Sequence, residues 1–106
     1  MNFNVRDEYN LKQYLPTKTD LKKMKDFFYA FSDDTRLKII MLLSIKPFCV
    51  GEITTILDLN QTTVSHQLSI LKSLNIVACD RAGKNFIYYI KNPSIENVLN
   101  VTVECI

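Results

Sequence analysis

Apolar positions recur along this chain at two different spacings, and the change from one to the other separates a set of helices from a hairpin. Leu21, Met24, Phe28 and Phe31 fall at i, i+3, i+7 and i+10, one face of a helix, with Lys22, Lys23, Lys25 and Asp26 largely on the other. Thr17 or Thr19 caps that helix. Ahead of it, residues 5 to 14 form a short helix that stops near Leu15, because Pro16 disfavours the α conformation in the residue before it. Ser32-Asp33-Asp34 ends the second helix and caps a third. Short side-chain oxygens accept from the free backbone N–H groups there, and acids suit the positive end of the helix dipole. From Arg36 to Ser44 that third helix is apolar around most of its circumference, through Leu37, Ile39, Ile40, Met41, Leu42 and Leu43, as the centre of a bundle requires. Lys46-Pro47 breaks it.

A shorter helix from about Val50 to Leu57 carries the stripe Ile53, Ile56 and Leu57, and Asp58-Leu59-Asn60 connects it to another running from about Asn60 to Leu74. Two helices joined by about three polar-rich residues form the helix-turn-helix pattern. In the second of them Val64, Leu68 and Leu71 face inward at i, i+4 and i+7. At about 100° per residue the opposite face then carries Thr62, Ser65, His66, Ser69 and Ser73, with Gln61 near the N-terminus and Lys72 on the flank. This face is short, polar and almost uncharged. A merely solvated face usually carries Glu and Lys, whereas a helix in the major groove of DNA wants compact donors and acceptors close to base edges. A polar surface helix without a ligand is the competing reading.

From Ile76 the period becomes strand-like. Ile76 to Arg81 and Phe86 to Ile90, joined by Ala82-Gly83-Lys84-Asn85, read as a β-hairpin, which must pack on the helices because two strands cannot stand alone. Arg81 and Lys84 at its turn are placed for DNA phosphates or a minor groove, although hairpin tips carry such charges for solubility as well. In the tail, Asn92 is a cap and Pro93 takes the first turn, with Ile95, Val98, Leu99, Thr102 and Ile106 at helical spacing. Val101 and Val103 widen that stripe beyond what one domain covers. The alternation from Val101 to Ile106 also fits a strand, but packing on another subunit supplies what the β-branched residues take from helix propensity.

At 106 residues, 47% of them hydrophobic, the chain has enough apolar material for one core and too little length for two. A domain of this size buries only about 60 to 70% of its unfolded surface, which favours a partner subunit. Its net charge of +2 is compatible with nucleic acid without demanding it. No run approaches the roughly 18 apolar residues of a membrane span, and Arg6, Asp7, Glu8, Lys12 and Lys18 interrupt any signal-peptide core. A cytoplasmic location without a membrane is expected, and with it reduced thiols for the three cysteines. Enzymatic chemistry finds no support. No Cys-His or Ser-His spacing and no glycine-rich phosphate loop is present, the two glycines being Gly51 and Gly83. A winged helix used for protein assembly is a further alternative, but the polar face lacks the aromatic or aliphatic anchors of such interfaces.

Three stretches of the chain resemble the ArsR/SmtB family of winged helix repressors, over about residues 20 to 105. They are Phe31 to Ile40 (FSDDTRLKII), Leu59 to Lys72 (LNQTTVSHQLSILK) and the hairpin Arg81 to Tyr89 (RAGKNFIYY), of which the middle one is the most specific. The resemblance implies a mainly α fold with a small β-hairpin, dimeric through its first and last helices, binding a double-stranded DNA operator and released when a metal ion or thiol-reactive signal binds. It divides the single 1–106 domain into dimerising helices (1–31), a helical core with the helix-turn-helix (32–75), a wing (76–91) and a last dimerising helix (93–106). Base-contacting positions by this analogy are Gln61, Thr62, Thr63, Ser65 and His66. The full DNA-facing set adds Asn60, Gln67, Ser69 and Lys72 from the same helix and Arg81 and Lys84 from the wing.

The sensor departs from the family pattern. Members that sense soft metals usually carry Cys-Val-Cys at the start of the helix before the recognition helix, where this chain reads Cys49-Val50-Gly51. One thiolate makes neither a trigonal arsenic site nor a tetrahedral zinc site. Members with zinc or nickel on the last helix use an Asp and several His, where this chain has Asn92, Ser94 and Cys105, and its sole histidine is His66. No zinc site of the usual tail-helix type is expected, and a thiophilic metal or metalloid is the cofactor class left open. Cys49, near a helix N-terminus, and Cys105 are the candidate sensing thiols, while Cys79 reads as a small packing residue in a strand. A regulator with no metal or thiol sensing remains the alternative.

Overall fold

The computed structural model describes residues 8–106, so positions 5 to 7 of the first expected helix lie outside the described residues. The order of elements is α1 (Glu8–Lys12), α2 (Lys18–Ala30), α3 (Asp34–Leu43), β1 (Phe48–Cys49), α4 (Val50–Leu57), α5 (Gln61–Ser73), β2 (Val77–Ala82), β3 (Asn85–Ile90) and α6 (Ser94–Cys105). Helix starts lie where capping chemistry puts them. The Thr17 Oγ1 accepts from Asp20 N–H at 3.2 Å, the Asp33 carboxylate from Arg36 N–H at 3.0 Å, and the Asn60 Oδ1 from Thr63 N–H at 2.7 Å. The Asn92 Oδ1 accepts from Ser94 N–H at 2.9 Å as α6 begins.

Two helix ends use left-handed residues that are not glycine, Asp58 (φ 54) and Asn75 (φ 61). After α5, Asn75 N–H donates to Lys72 O and Ile76 N–H to Leu71 O, at 3.1 and 3.0 Å, with the buried pair Ile76 and Leu71 closing the motif. This is a Schellman ending, in which asparagine tolerates the positive φ. Asp58 makes the corresponding stop for α4 and sets the tight turn before α5.

The core gathers Ile39, Ile40 and Leu43 of α3, Ile53 of α4, Val64, Leu68 and Leu71 of α5, Ala30, Phe48, Ile76, Val77 and Ile95. Against this core lies a sheet of three strands, not two, in the order β1-β3-β2. Phe48 and Cys49 pair with Tyr88 and Ile87. A two-residue strand is too short to show a period, so only the pairing reveals it. The hairpin turn is also tighter than expected. Ala82 pairs with Asn85, leaving Gly83 and Lys84 as the loop, and Gly83 has φ +64 at the first central position, as a type II′ turn requires.

The tail is a helix, resolving the choice between helix and strand, and the Thr102 hydroxyl donates back to Val98 O at 2.8 Å. Of the apolar stripe Leu21, Met24, Phe28 and Phe31, the first three do not point at the core. Leu21 and Met24 are each 48% exposed and Phe28 62%, while Ala30, Phe27 and Phe31 make the inward contacts. Val101 of α6 is likewise 56% exposed, and Phe28, Val98 and Val101 line one shallow hollow between the two helices. No helix among the described residues is long and apolar enough to cross a membrane.

Candidate nucleic-acid interface

Helix α5 presents two contrasting faces. Val64, Leu68 and Leu71 are fully buried, while Gln61, Thr62, His66, Ser69 and Lys72 are exposed and Thr63 and Ser65 half-buried beside them. The helix contains no carboxylate, so nothing on its open side repels phosphate. Asn60 lies just before it with its side-chain oxygen occupied by the cap, which orients the first turn.

The wing leans towards the same end of α5. A cleft of about 430 Å³ is lined by Gln61 and Ser65 from α5, Lys84 and Phe86 from the hairpin tip, Tyr88, and Cys49. Arg81 is exposed with its Nε donating to Gly83 O at 3.1 Å, which stiffens the turn. Lys72, on the flank of α5, reaches the wing from the other side, its ammonium 3.4 Å from the Cys79 Sγ. Burial first, and Cys79 beside it second, push the Tyr88 hydroxyl above its ordinary pKa.

One member of the expected DNA-facing set has a partner inside the molecule. Gln67 is half-buried and its Oε1 accepts from Arg36 Nη1 at 3.1 Å, so its amide oxygen turns to the interior. Its partner Arg36, 5% exposed, is a residue that sequence reasoning passed over, because one arginine opening an apolar run gives no periodic signal that it is buried.

The three thiols lie on three different elements, β1, β2 and α6. Cys49 ends β1 opposite Ile87, and Cys79 in β2 lies opposite Tyr88 across the same central strand. Neighbouring positions of β3 point to opposite faces, and two strand spacings amount to about 9 to 10 Å, beyond the roughly 7 Å that a disulfide spans. Cys105 is exposed at the end of α6. Among the described residues no three His, Cys, Asp or Glu side chains approach closely enough to hold a metal ion. At the start of α4, Glu52 accepts from Cys49 N–H at 3.0 Å, and this backbone hydrogen bond is the main reason its carboxyl titrates below the usual value.

Gly51 stands where a second thiol of this turn would be. A Cβ built there meets only the Cys49 Sγ, at 4.0 Å, and the backbone is not left-handed, so Gly51→Cys is sterically open. That variant is expected to bind cadmium through two thiolates, with a stronger ligand-to-metal charge-transfer band in the ultraviolet than the unaltered protein gives. An identical band in both proteins would show that the ion binds elsewhere.

Comparison with known proteins agrees with this geometry. The profile described as bacterial regulatory protein, arsR family, matches residues 33–78. The cadmium resistance transcriptional regulatory protein CadC of Listeria innocua is 38% identical over 85 residues, 79% of this chain and 71% of that protein. The transcriptional repressor SdpR of Bacillus subtilis is 36% identical over 72 residues, 68% and 79% of the two chains. Among solved structures, Rv0081 of M. tuberculosis superposes with a TM-score of 0.76 at 29% identity, covering 84% of this chain and 90% of that one. With a winged helix-turn-helix in the structure and relatives of this closeness along most of its length, the chain belongs to the ArsR family of bacterial regulatory proteins.

Proposed function

We propose that the protein is a homodimeric, cytoplasmic transcriptional repressor that lays α5 in the major groove of a DNA operator. The observation that carries this reading is the carboxylate-free polar face of α5, sharing one cleft with the basic tip of the wing. In this reading Gln61, Thr62, Thr63, Ser65 and His66 meet base edges, Ser69 and Lys72 follow the groove, and Arg81 and Lys84 meet backbone phosphates. Asn60 acts through its cap, aiming the positive N-terminus of α5 at the DNA.

The exposed apolar faces of α2 and α6 supply the dimer contact. A signal directed at thiols, whether a soft metal or metalloid, a persulfide or an oxidant, then releases the DNA through Cys49 or Cys105. A gel shift with the protein's own upstream DNA tests the reading. The expected result is binding about a thousandfold or more tighter than to random DNA at the same salt, relieved by one of a panel of thiophilic ions and oxidants. Equal affinity for both DNAs would overturn operator recognition. Unchanged responses of Cys49→Ser and Cys105→Ser to every agent would overturn the thiol part.

A further inference from the structure

Arg36 is the one buried charged side chain among the described residues. Its guanidinium meets partners from two helices at once. Nε and Nη2 donate to Ala30 O and Tyr29 O, at 3.4 and 3.1 Å, at the end of α2, and Nη1 donates to Gln67 Oε1 at 3.1 Å in the middle of α5. The Tyr29 ring covers the guanidinium carbon at 4.6 Å. These partners are neutral. A buried cation held only by carbonyl oxygens and a ring face is costly unless every acceptor stays in place. The fixed fork of arginine serves donors in several directions together, which an ammonium does not.

The placement links two surfaces. Helix α2 carries the exposed apolar face of Leu21, Met24 and Phe28, and α5 carries the polar face around His66, the residue next to Gln67. Each residue of a helix turns about 100° about the axis, so the azimuth of Gln67 determines that of His66. We propose that Arg36 is a positioning residue for operator binding: through Gln67 it locks the rotation of α5 about its axis relative to α2. The face of α5 is thereby held in one orientation to the subunit contact, and Gln67 acts on DNA through Arg36 and not by touching a base. This inference rests on the operator-binding reading above.

The test uses the full chain with Gln67→Met, which removes the acceptor at similar length, and Gln67→Glu, which keeps it. Two quantities are measured: affinity across operators altered one base pair at a time, and hydrogen exchange of α5 amides without DNA. The expected outcome for Gln67→Met is an affinity loss of about tenfold, uniform across the altered operators, with faster exchange in α5. Gln67→Glu retains affinity and protection, because its carboxylate faces Arg36; if the side chain faced the groove, the same charge would repel phosphate. Altered preference at one or two base pairs, or loss of binding by Gln67→Glu, would make Gln67 a base reader and overturn the proposal. Unchanged affinity and exchange in Gln67→Met would overturn it too. If the unaltered protein prefers no operator, the operator reading fails by itself, and unchanged α5 exchange in Gln67→Met would then show separately that Arg36 does not order this helix.

Discussion

Val101→Asp and Phe28→Asp should each leave a folded subunit, split the dimer and lower operator affinity by about a hundredfold or more. Both side chains are more than half exposed in the single chain, at 56% and 62%, so an aspartate at either position is hydrated in the monomer. In a dimer that covers the α2 and α6 faces, the same carboxylate would be buried without a partner. Losing the second subunit converts two linked contacts, to half-sites about 34 Å apart, into one weak contact. Leu99 is a poorer position for this test, because it packs against the core and its replacement by aspartate would report folding instead. Sedimentation with circular dichroism checks the result. Dimers retained by both variants, or an unaltered protein that is monomeric at micromolar concentration, would contradict it.

His66→Ala and Gln61→Ala should cost about 1 to 3 kcal/mol at the operator and little on random DNA, since base contacts specify and phosphate contacts position. His66 is exposed on the open face of α5, and Gln61 lies at its N-terminus in the cleft shared with Lys84. Lys84→Ala should do the reverse, weakening binding to all sequences alike and reducing the salt dependence by about one counterion. Titrations at several salt concentrations separate the two behaviours. A His66→Ala protein weakened equally on operator and random DNA would show that α5 does not read bases in the assigned orientation.

The inward stripe of α5 was legible because Val64, Leu68 and Leu71 repeat at a helical period, and all three are fully buried. The caps at Thr17, chosen over Thr19, and at Asp33, within Ser32-Asp33-Asp34, were legible for a similar reason, since each bonds a backbone N–H three residues ahead. The stripe of α2 was read correctly as a helical face, yet periodicity does not say what a face meets. Most of its large side chains turned out to be exposed, and Ala30 is the α2 residue that is fully buried.

Local spacing thus determined the helices, the helix-turn-helix and the hairpin, because each rests on interactions between residues a few positions apart. Tertiary structure decided what depends on residues distant in the chain. The strand β1 exists only by pairing with Tyr88 and Ile87, about forty positions later. Gln67 turns its amide oxygen to Arg36, 31 residues before it, a contact that no local period announces. Cys49 and Cys79 are kept apart by the central strand between them, although each alone reads as a thiol near a turn or in a strand. Such contacts follow from the closure of the whole chain around one core, and a burial pattern along the sequence records that a residue is inside without recording which distant partner it meets.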